Sequence, residues 1–218
     1  PYPAGVDDTQ ALKVGYLGPA GTFTESALLT QVDLAAAEHI LFRSHSDVLH
    51  NTSSGLVDFG FCAIENAIEG TVNVVQDTLA FDSELMIQRE VVIPITMNLL
   101  VQSGTVINEV EKVISYPHAL AQVRAFLRNN LPDAELEAAN STAHAAQMLA
   151  ESPSSKVAAV GTSLAADKYG LEIAAESIED HPGNKTRFIL IAKDGIPAPT
   201  GHDKTSVVVF QQSDKPGS

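Results

Sequence analysis

The stretch Leu85–Gln102, LMIQREVVIPITMNLLVQ, decides the fold. It is apolar over most of its length, but Pro94 interrupts it and has no N–H to donate to a sheet. This disfavours one regular strand. We therefore predict a strand that belongs to one lobe, followed by a strand that enters another. Residues 12–92 and 185–203 are then expected to form the first lobe, and residues 93–184 the second.

Strands alternate with helical patterns on both sides of this stretch. Apolar runs of strand length are followed by helices with apolar residues at helical spacing, for example Leu120, Val123 and Leu127 after Pro117. Such alternation predicts an α/β protein with mostly parallel sheets that are covered on both faces. The predicted strands lie in LKVGYL (12–17), DFGFCAI (58–64), VEKVISY (110–116), AELEAA (134–139), KVAAVG (156–161), LEIAAE (171–176) and TRFILIA (186–192).

Polar residues gather where a predicted strand ends and a helix begins. In open α/β sheets this carboxyl edge binds ligands, and helix N-termini offer free N–H groups to anions. Two such edges facing each other would enclose a cleft. Ser and Thr at helix starts also serve as N-caps, and Thr22 with Glu25 has the spacing of a capping box, so both roles stay open. The residues at these edges are Thr22, Glu65, Asn66, Ser115, Ser141, Thr142 and Thr162.

Composition excludes several classes of protein. The 218 residues carry a net charge of −14, which argues against nucleic acid as a partner. No apolar run approaches the ~18 residues that would span a membrane. The single cysteine, Cys62, cannot form an internal disulfide, and the histidines lack metal-ligand spacing, so neither a metal nor a cofactor is expected. Residues 1–11 are predicted to be a loose leader without the features of a secretion signal, which favours a cytoplasmic location.

A basic pair lies next to Thr186 in HPGNKTRFILIA (181–192), directly before an apolar run. Polar residues often precede a strand, and this alone could explain Lys185 and Arg187. In so acidic a chain, however, local cations favour a site that handles a small anion. Strand alternation leaves open whether Arg187 points toward Thr186 or away from it.

Six motifs follow one another along the chain: GYLGPAGTFTESA (15–27), IENAIEGTV (64–72), SYPHALAQVRAFL (115–127), NSTAHAA (140–146), GTSLAADKYGL (161–171) and NKTRFILIA (184–192). In this order they resemble the prephenate dehydratase family. The resemblance extends from about Lys13 to Ala192 and implies two α/β lobes joined by crossover strands, as in type II periplasmic binding proteins. One departure is that Ala63 and Ala67 flank IEN, where the family often has Pro before it and Ser or Thr after it; the missing hydroxyl puts any role of position 67 in doubt.

The resemblance implies a carbon–oxygen lyase that converts prephenate to phenylpyruvate, water and carbon dioxide in phenylalanine biosynthesis. This reaction requires that the protein bind a dianion and supply a hydrogen bond or a proton to the departing hydroxyl, and it needs no redox cofactor. Thr186 is the first candidate for that donor, and Glu65 competes with it if burial keeps its carboxyl protonated. The implied catalytic residues are Thr186, Glu65, Asn66, Ser115 and Gln122, and the implied substrate-binding residues are Arg187, Thr22, Gly21, Ser141 and Thr142.

The segment KTSVVVFQQSDKPGS (204–218) resembles the first strand and turn of an ACT domain. Phenylalanine is therefore expected as an allosteric inhibitor only if that domain is complete. The resemblance also implies a homo-oligomer, either a dimer or a tetramer.

Two other functions remain open. One is a cytoplasmic small-molecule binding or sensor protein with the same cleft and no catalysis, since one fold serves both uses. The other is an arogenate dehydratase, whose substrate carries an amino group in place of the keto oxygen.

Overall fold

The computed structural model describes residues 11–195 and 197–209. Short helices and strands alternate along this part of the chain, and none of its helices is long and apolar enough to cross a membrane. The elements are β1 (Lys13–Leu17), α1 (Phe23–Leu29), α2 (Val32–Ala35), β2 (Glu38–Phe42), α3 (His45–Ser54), β3 (Phe59–Asn66), β4 (Gly70–Thr71), α4 (Asn73–Asp77), a π-helical turn (Thr78–Asp82), β5 (Met86–Pro94), β6 (Asn98–Val101), a 3-10 turn (Ile107–Glu109), β7 (Lys112–Ser115), α5 (Pro117–Gln122), α6 (Arg124–Asn130), β8 (Glu135–Ala138), α7 (Thr142–Glu151), β9 (Val157–Gly161), α8 (Ser163–Tyr169), β10 (Glu172–Ala175) and β11 (Lys185–Ala192).

The strands form two sheets, one in each lobe. The first has the order β2-β1-β3-β11-β5 with β4 beside β3, and the second has the order β10-β6-β9-β7-β8. The prediction of a two-lobed α/β protein is thereby confirmed. The chain passes from the first sheet to the second between β5 and β6 and returns between β10 and β11, as Pro94 indicated. The lobe boundaries predicted at 92/93 and 184/185 stay predictions.

The sheets are mixed rather than mostly parallel. Parallel pairing holds for β2-β1-β3 and for β8-β7-β9. The strands next to the crossings, β5 and β11 in one sheet and β6 and β10 in the other, pair antiparallel with their neighbours. The parallel pairs therefore lie on one side of each sheet, and the strands next to the crossings lie on the other side.

Two segments connect the lobes, one leaving the first sheet and one returning to it, and they are hydrogen-bonded to each other. The N–H of Ile95 donates to the carbonyl of Asn184 at 2.9 Å, and the N–H of Ile178 donates to the carbonyl of Met97 at 2.9 Å. Phe23 and Ile93 pack against the buried clusters of both lobes. The cluster of the second lobe includes Leu99, Val101 and Val113, and that of the first lobe includes Val14, Tyr16, Phe61, Phe188 and Leu190.

The strand β2 and the helix α3 were not among the predicted elements. β2 lies at the edge of its sheet, and none of its residues is fully buried, so its apolar signal is weak. Ser44 caps α3 by accepting from the N–H of Asp47 at 3.0 Å. The helix predicted after Pro117 is divided at Val123, whose φ of −116° interrupts the helical path between α5 and α6.

The lobes also touch away from the crossings, where α8 meets the turn before α1. The Thr162 hydroxyl donates to the carbonyl of Gly21 at 2.7 Å, and the Tyr169 hydroxyl donates to the carbonyl of Ala20 at 2.9 Å. Gly21 has φ +89°, and a Cβ there would lie 3.0 Å from the Cα of Ala165. Gly21 thus allows the close approach of the two lobes.

An ion pair between a buried carboxylate and a partly exposed ammonium group completes this contact. Glu25 is 3% exposed, and its carboxylate lies 2.8 Å from the ammonium group of Lys168 on α8. Half of the predicted capping box forms, since the N–H of Glu25 donates to the Thr22 hydroxyl at 3.3 Å. The Glu25 carboxylate accepts instead from the N–H of Gly21 at 2.5 Å. Burial raises the pKa of Glu25, but the Gly21 N–H, Lys168 and Tyr16 together outweigh it, so the pKa lies below its usual value.

Residues 204–209 are exposed and have no regular secondary structure. Lys204 forms an ion pair with Glu90 of β5 at 2.5 Å. The rest of the predicted ACT segment and residues 1–10 of the predicted leader lie outside the described residues.

Replacement of Lys168 by Met should destabilise the protein in a pH-dependent way. At pH 7 we expect the free energy of unfolding to fall by about 1–3 kcal/mol, because the Glu25 carboxylate stays buried without its cation. Since the folded-state pKa of Glu25 is lowered, the pair's contribution is full above the unfolded pKa and is lost as the pH falls through the folded pKa. Urea unfolding of the wild type and Lys168→Met at pH 7 and pH 3 measures this.

The matched control is Lys156→Met, which removes an exposed ion pair with Glu111 and should leave stability unchanged. A loss in Lys168→Met that is the same at both pH values would contradict a role for the ionised Glu25.

Candidate active site

Thr186 and Asn66 lie opposite each other on β11 and β3 and are directly hydrogen-bonded. The Asn66 side-chain amide donates to the Thr186 hydroxyl oxygen at 2.7 Å. Its carbonyl oxygen accepts from the N–H groups of Ile68 and Glu69 at 2.9 and 3.0 Å, which fixes the orientation of the amide. Among the described residues the Thr186 hydroxyl accepts this bond and donates none, so its own proton is available to a ligand.

Gln122 belongs to a second group of hydrogen-bonded side chains. It is 9% exposed, its amide nitrogen donates to the Glu69 carboxylate at 3.1 Å, and its amide oxygen accepts from Asn184 at 3.0 Å. The N–H of Asp180 donates to the backbone carbonyl of Gln122 at 2.7 Å, and the Asp180 carboxylate in turn accepts from the N–H of Ala125 in α6 at 3.0 Å. Gln122 is therefore held through both its side chain and its backbone.

The loop after β3 joins these two groups. Asn66 accepts from the N–H of Glu69, and the side chain of Glu69 reaches Gln122 in the second lobe. His118, on the same helix as Gln122, places its Nδ1 3.9 Å from the Glu69 carboxylate and stacks on Tyr116. The structure thus brings together three of the five predicted catalytic residues, which are Thr186, Asn66 and Gln122.

Glu65 and Arg187 do not join this group. Each is adjacent in sequence to a member of the Asn66–Thr186 pair, and adjacent strand residues point to opposite faces of a sheet. The Arg187 guanidinium instead lies 2.6 Å from the Glu65 carboxylate and 2.8 Å from that of Glu90 on β5. These hydrogen bonds raise the pKa of Arg187, with the larger effect from Glu65. Of the two orientations that the sequence left open for Arg187, the structure shows the one that points away from Thr186, because side chains alternate along β11. Substrate binding by Arg187 stays a prediction.

Ser115 lies at the end of β7 and is completely buried. Its hydroxyl donates to the carbonyl of Val160 on the neighbouring strand β9 at 2.7 Å. In this position Ser115 ties two strands together immediately before α5, the helix that carries Gln122.

The predicted substrate-binding residues at helix starts act as caps and as a contact between lobes. Ser141 accepts from the N–H of His144 at 3.0 Å and caps α7, while Thr142 is the buried first residue of that helix. Thr22 caps α1, and Gly21 contacts α8 through Thr162. The capping alternative is therefore realised at Thr22 and Ser141, and it leaves a ligand-binding role untested.

Two residues of this group, Asn184 and Glu69, were not among the predicted site residues. Both lie within motifs, Asn184 two positions before Thr186 in NKTRF and Glu69 three positions after Asn66 in IENAIEG. The sequence alone offered one signal. Asn184 is two positions before Thr186, so in an extended chain the two side chains would lie on the same face.

The chemistry of the group is that of neutral donors and acceptors. One hydroxyl and three amides converge, with Glu69 as the carboxylate that orients one amide. Within residues 11–195 and 197–209, no group of three or more His, Cys, Asp or Glu side chains is arranged to hold a metal ion. Such a group can bind and orient an organic anion and stabilise charge that develops on an oxygen.

A family model and curated relatives identify the family of this chain. The family model described as prephenate dehydratase matches residues 14–196. A prephenate dehydratase of Mycolicibacterium vanbaalenii is 40% identical over 94% of this chain and 69% of its own length. A prephenate dehydratase of Bacillus subtilis is 37% identical over 84% of this chain and 65% of its own length.

Solved structures agree with this comparison. A prephenate dehydratase of Arthrobacter aurescens, solved in complex with L-Phe, superposes with a TM-score of 0.81 at 35% identity, covering 87% of this chain and 63% of that one. This chain thus spans about two thirds of the length of these relatives. The two-lobed fold, the family model and the similarity to these relatives lead to one conclusion, that the chain belongs to the prephenate dehydratase family.

Proposed function

We propose that this chain converts prephenate to phenylpyruvate and carbon dioxide with loss of the ring hydroxyl, and is a carbon–oxygen lyase. The observation that carries the proposal is the Asn66–Thr186 pair, which holds a hydroxyl with its proton free beside the buried amides of Gln122 and Asn184. Membership of the family supports the substrate and the reaction.

The reaction needs little from the protein besides orientation and one hydrogen bond. Prephenate is a dianion, and its products are the phenylpyruvate anion, carbon dioxide and hydroxide, so charge balances. Formation of an aromatic ring drives the reaction, and the barrier lies in departure of the hydroxyl. Negative charge builds on that oxygen, and a fixed donor aimed at it lowers the barrier.

Thr186 is the proposed donor to the departing oxygen. A threonine hydroxyl is too weak an acid to transfer its proton completely near neutral pH, so it acts by hydrogen bonding. Asn66 supports this role because it donates to the Thr186 oxygen at 2.7 Å, which orients the hydroxyl and polarises its proton.

The other predicted site residues have supporting roles in the proposal. Gln122 orients the substrate, and Ser115 positions the helix that carries Gln122. Glu65 and Arg187 clamp β3, β11 and β5 together from the opposite face. Substrate contacts by Gly21, Thr22, Ser141 and Thr142 rest on the family motifs.

The finer biological context also rests on the family. We place the reaction in phenylalanine biosynthesis, in a cytoplasmic homo-oligomer. The relative solved with L-Phe supports phenylalanine as a regulatory ligand where a complete ACT domain follows Lys204.

An ultraviolet assay for phenylpyruvate with the purified protein tests the proposed function. Prephenate and arogenate are supplied in parallel at neutral pH, and prephenate should be consumed with formation of phenylpyruvate. The arogenate reaction is also analysed for phenylalanine by chromatography, and formation of phenylalanine from arogenate without formation of phenylpyruvate from prephenate would replace this proposal by arogenate dehydration. Tight binding of prephenate without turnover would favour the sensor protein.

Removal of the Thr186 hydroxyl should lower turnover much more than affinity. In Thr186→Val, which keeps the shape of the side chain, we expect kcat to fall by about 10²- to 10³-fold with little change in KM, as for loss of one donor to a developing oxyanion. Thr186→Ser should retain most of the activity. Steady-state kinetics with prephenate measures both.

Thr52→Val is the control, because Thr52 is fully buried in the same lobe and its hydroxyl donates to Val48 within α3. Turnover by Thr186→Val at the wild-type rate would remove Thr186 from the mechanism.

The two neighbours Asn66 and Glu65 should differ sharply. Asn66→Ala removes the amide that orients Thr186, so we expect kcat to fall by about 10- to 100-fold. Glu65→Gln changes a side chain on the opposite face of the sheet, so kcat should stay within about threefold of the wild type. Kinetics of the two variants at neutral pH measures the difference, and a larger loss in Glu65→Gln would restore Glu65 as the acid.

A further inference from the structure

Asn184 carries a buried oxygen atom without a partner. Its side chain is 4% exposed, and its amide nitrogen donates to the Gln122 amide oxygen at 3.0 Å. Its amide oxygen has no hydrogen-bond partner among the described residues. A buried carbonyl oxygen left unpaired costs about 1–3 kcal/mol, so this atom is suited to a donor brought by a ligand.

The Glu69 carboxylate determines which atom of the Asn184 amide is unpaired, and that atom is the oxygen. A carboxylate only accepts hydrogen bonds, so the Gln122 amide must turn its nitrogen toward Glu69, at 3.1 Å. The Gln122 oxygen then faces Asn184 and requires the nitrogen of that amide. Turning either amide over would place two oxygens or two nitrogens face to face.

Asn184 also projects from the same face of the sheet as Thr186. The N–H of Ile95 donates to the Asn184 carbonyl at 2.9 Å, so the pairing of β5 with β11 continues back to this residue. In extended chain, side chains two residues apart lie on one face at about 6–7 Å. One substrate oxygen can therefore lie between the Asn184 acceptor and the Thr186 donor.

From this placement we propose that the amide oxygen of Asn184 accepts a hydrogen bond from the ring hydroxyl of the substrate and orients it for departure. The inference rests on the proposed function for the identity of the substrate. Of the polar groups of prephenate, two carboxylates and a keto oxygen only accept, and the ring hydroxyl alone can donate. When that hydroxyl donates to Asn184, its lone pairs are turned toward the Thr186 proton. Asn184 thus selects substrates with a hydroxyl at this ring position.

The test compares two stable dianions, the ring-saturated analogue of prephenate and its deoxy form, in which hydrogen replaces the ring hydroxyl. Their dissociation constants are measured by calorimetry on the wild type and on Asn184→Leu. The wild type should bind the hydroxyl compound about 10-fold more tightly, and Asn184→Leu should reduce this preference to within about twofold. Because the two compounds carry equal charge, a general disturbance of the site cancels in the ratio.

Glu69→Gln tests the orientation from the other end of the chain of amides, at an exposed position that should not impair folding. A neutral amide at position 69 no longer dictates which way Gln122 turns, so the preference should fall by about three- to fivefold. The matched control Asn130→Leu, on the exposed end of α6, should leave the preference unchanged.

The outcomes separate this inference from the proposed function. An unchanged preference in both Asn184→Leu and Glu69→Gln would overturn the role of Asn184, even if the wild type forms phenylpyruvate. A preference lost in both variants, in a protein that does not turn over prephenate, would support the acceptor and refute the proposed reaction.

Discussion

The antiparallel pairing of β3 with β11 is the constraint on which the candidate site depends. Its register places Asn66 opposite Thr186 and Glu65 opposite Arg187, and an irregularity follows between Arg187 and Phe188. Because side chains alternate across a sheet, a slip of one residue would send Thr186 to the face that carries Arg187. Phe188, two residues after Thr186, is buried in the core and stacks on Phe61 of β3. This packing stabilises the register. Packing in the first lobe thus determines which face carries the hydroxyl.

The site also requires the two lobes to stay at a fixed distance. Thr186 and Asn66 belong to the first sheet, whereas Gln122 is carried by α5 of the second lobe, and its side chain is reached by one hydrogen bond with Glu69 and one with Asn184. Such a bond is weak by itself. The contacts of α8 with the turn at Gly21 and the crossing segments at Ile95 and Met97 hold the lobes independently of it. The hydrogen bond between Gln122 and Glu69 can therefore orient the Gln122 amide without being needed to keep the lobes in contact.

The sequence was informative about site residues that a motif identifies. It was less informative about the face of the sheet to which a side chain turns, which strand geometry determines. Thr186, Asn66 and Gln122 follow from motifs, and Pro94 predicted the passage between lobes, which the structure confirms. The side of the sheet to which Glu65 and Arg187 turn depends on strand register, which residue types do not encode. The same holds for the antiparallel strands at the crossings. Asn184 was missed because its importance lies in an unpaired atom, visible only after every partner has been placed.

The neutral hydroxyl and amides of the site suit the charge changes of the proposed reaction. Strong binding of both carboxylates by cations would stabilise substrate and transition state alike and would not speed the chemical step. In this protein the guanidinium of Arg187, the residue that follows Thr186, is engaged by Glu65 and Glu90 on the other face of the sheet. The hydroxyl and amides that remain interact modestly with a neutral leaving group and more strongly as charge builds on its oxygen. A chain with a net charge of −14 can thus favour departure of hydroxide by aiming a few fixed dipoles, provided that its own carboxylates are paired or used to orient them.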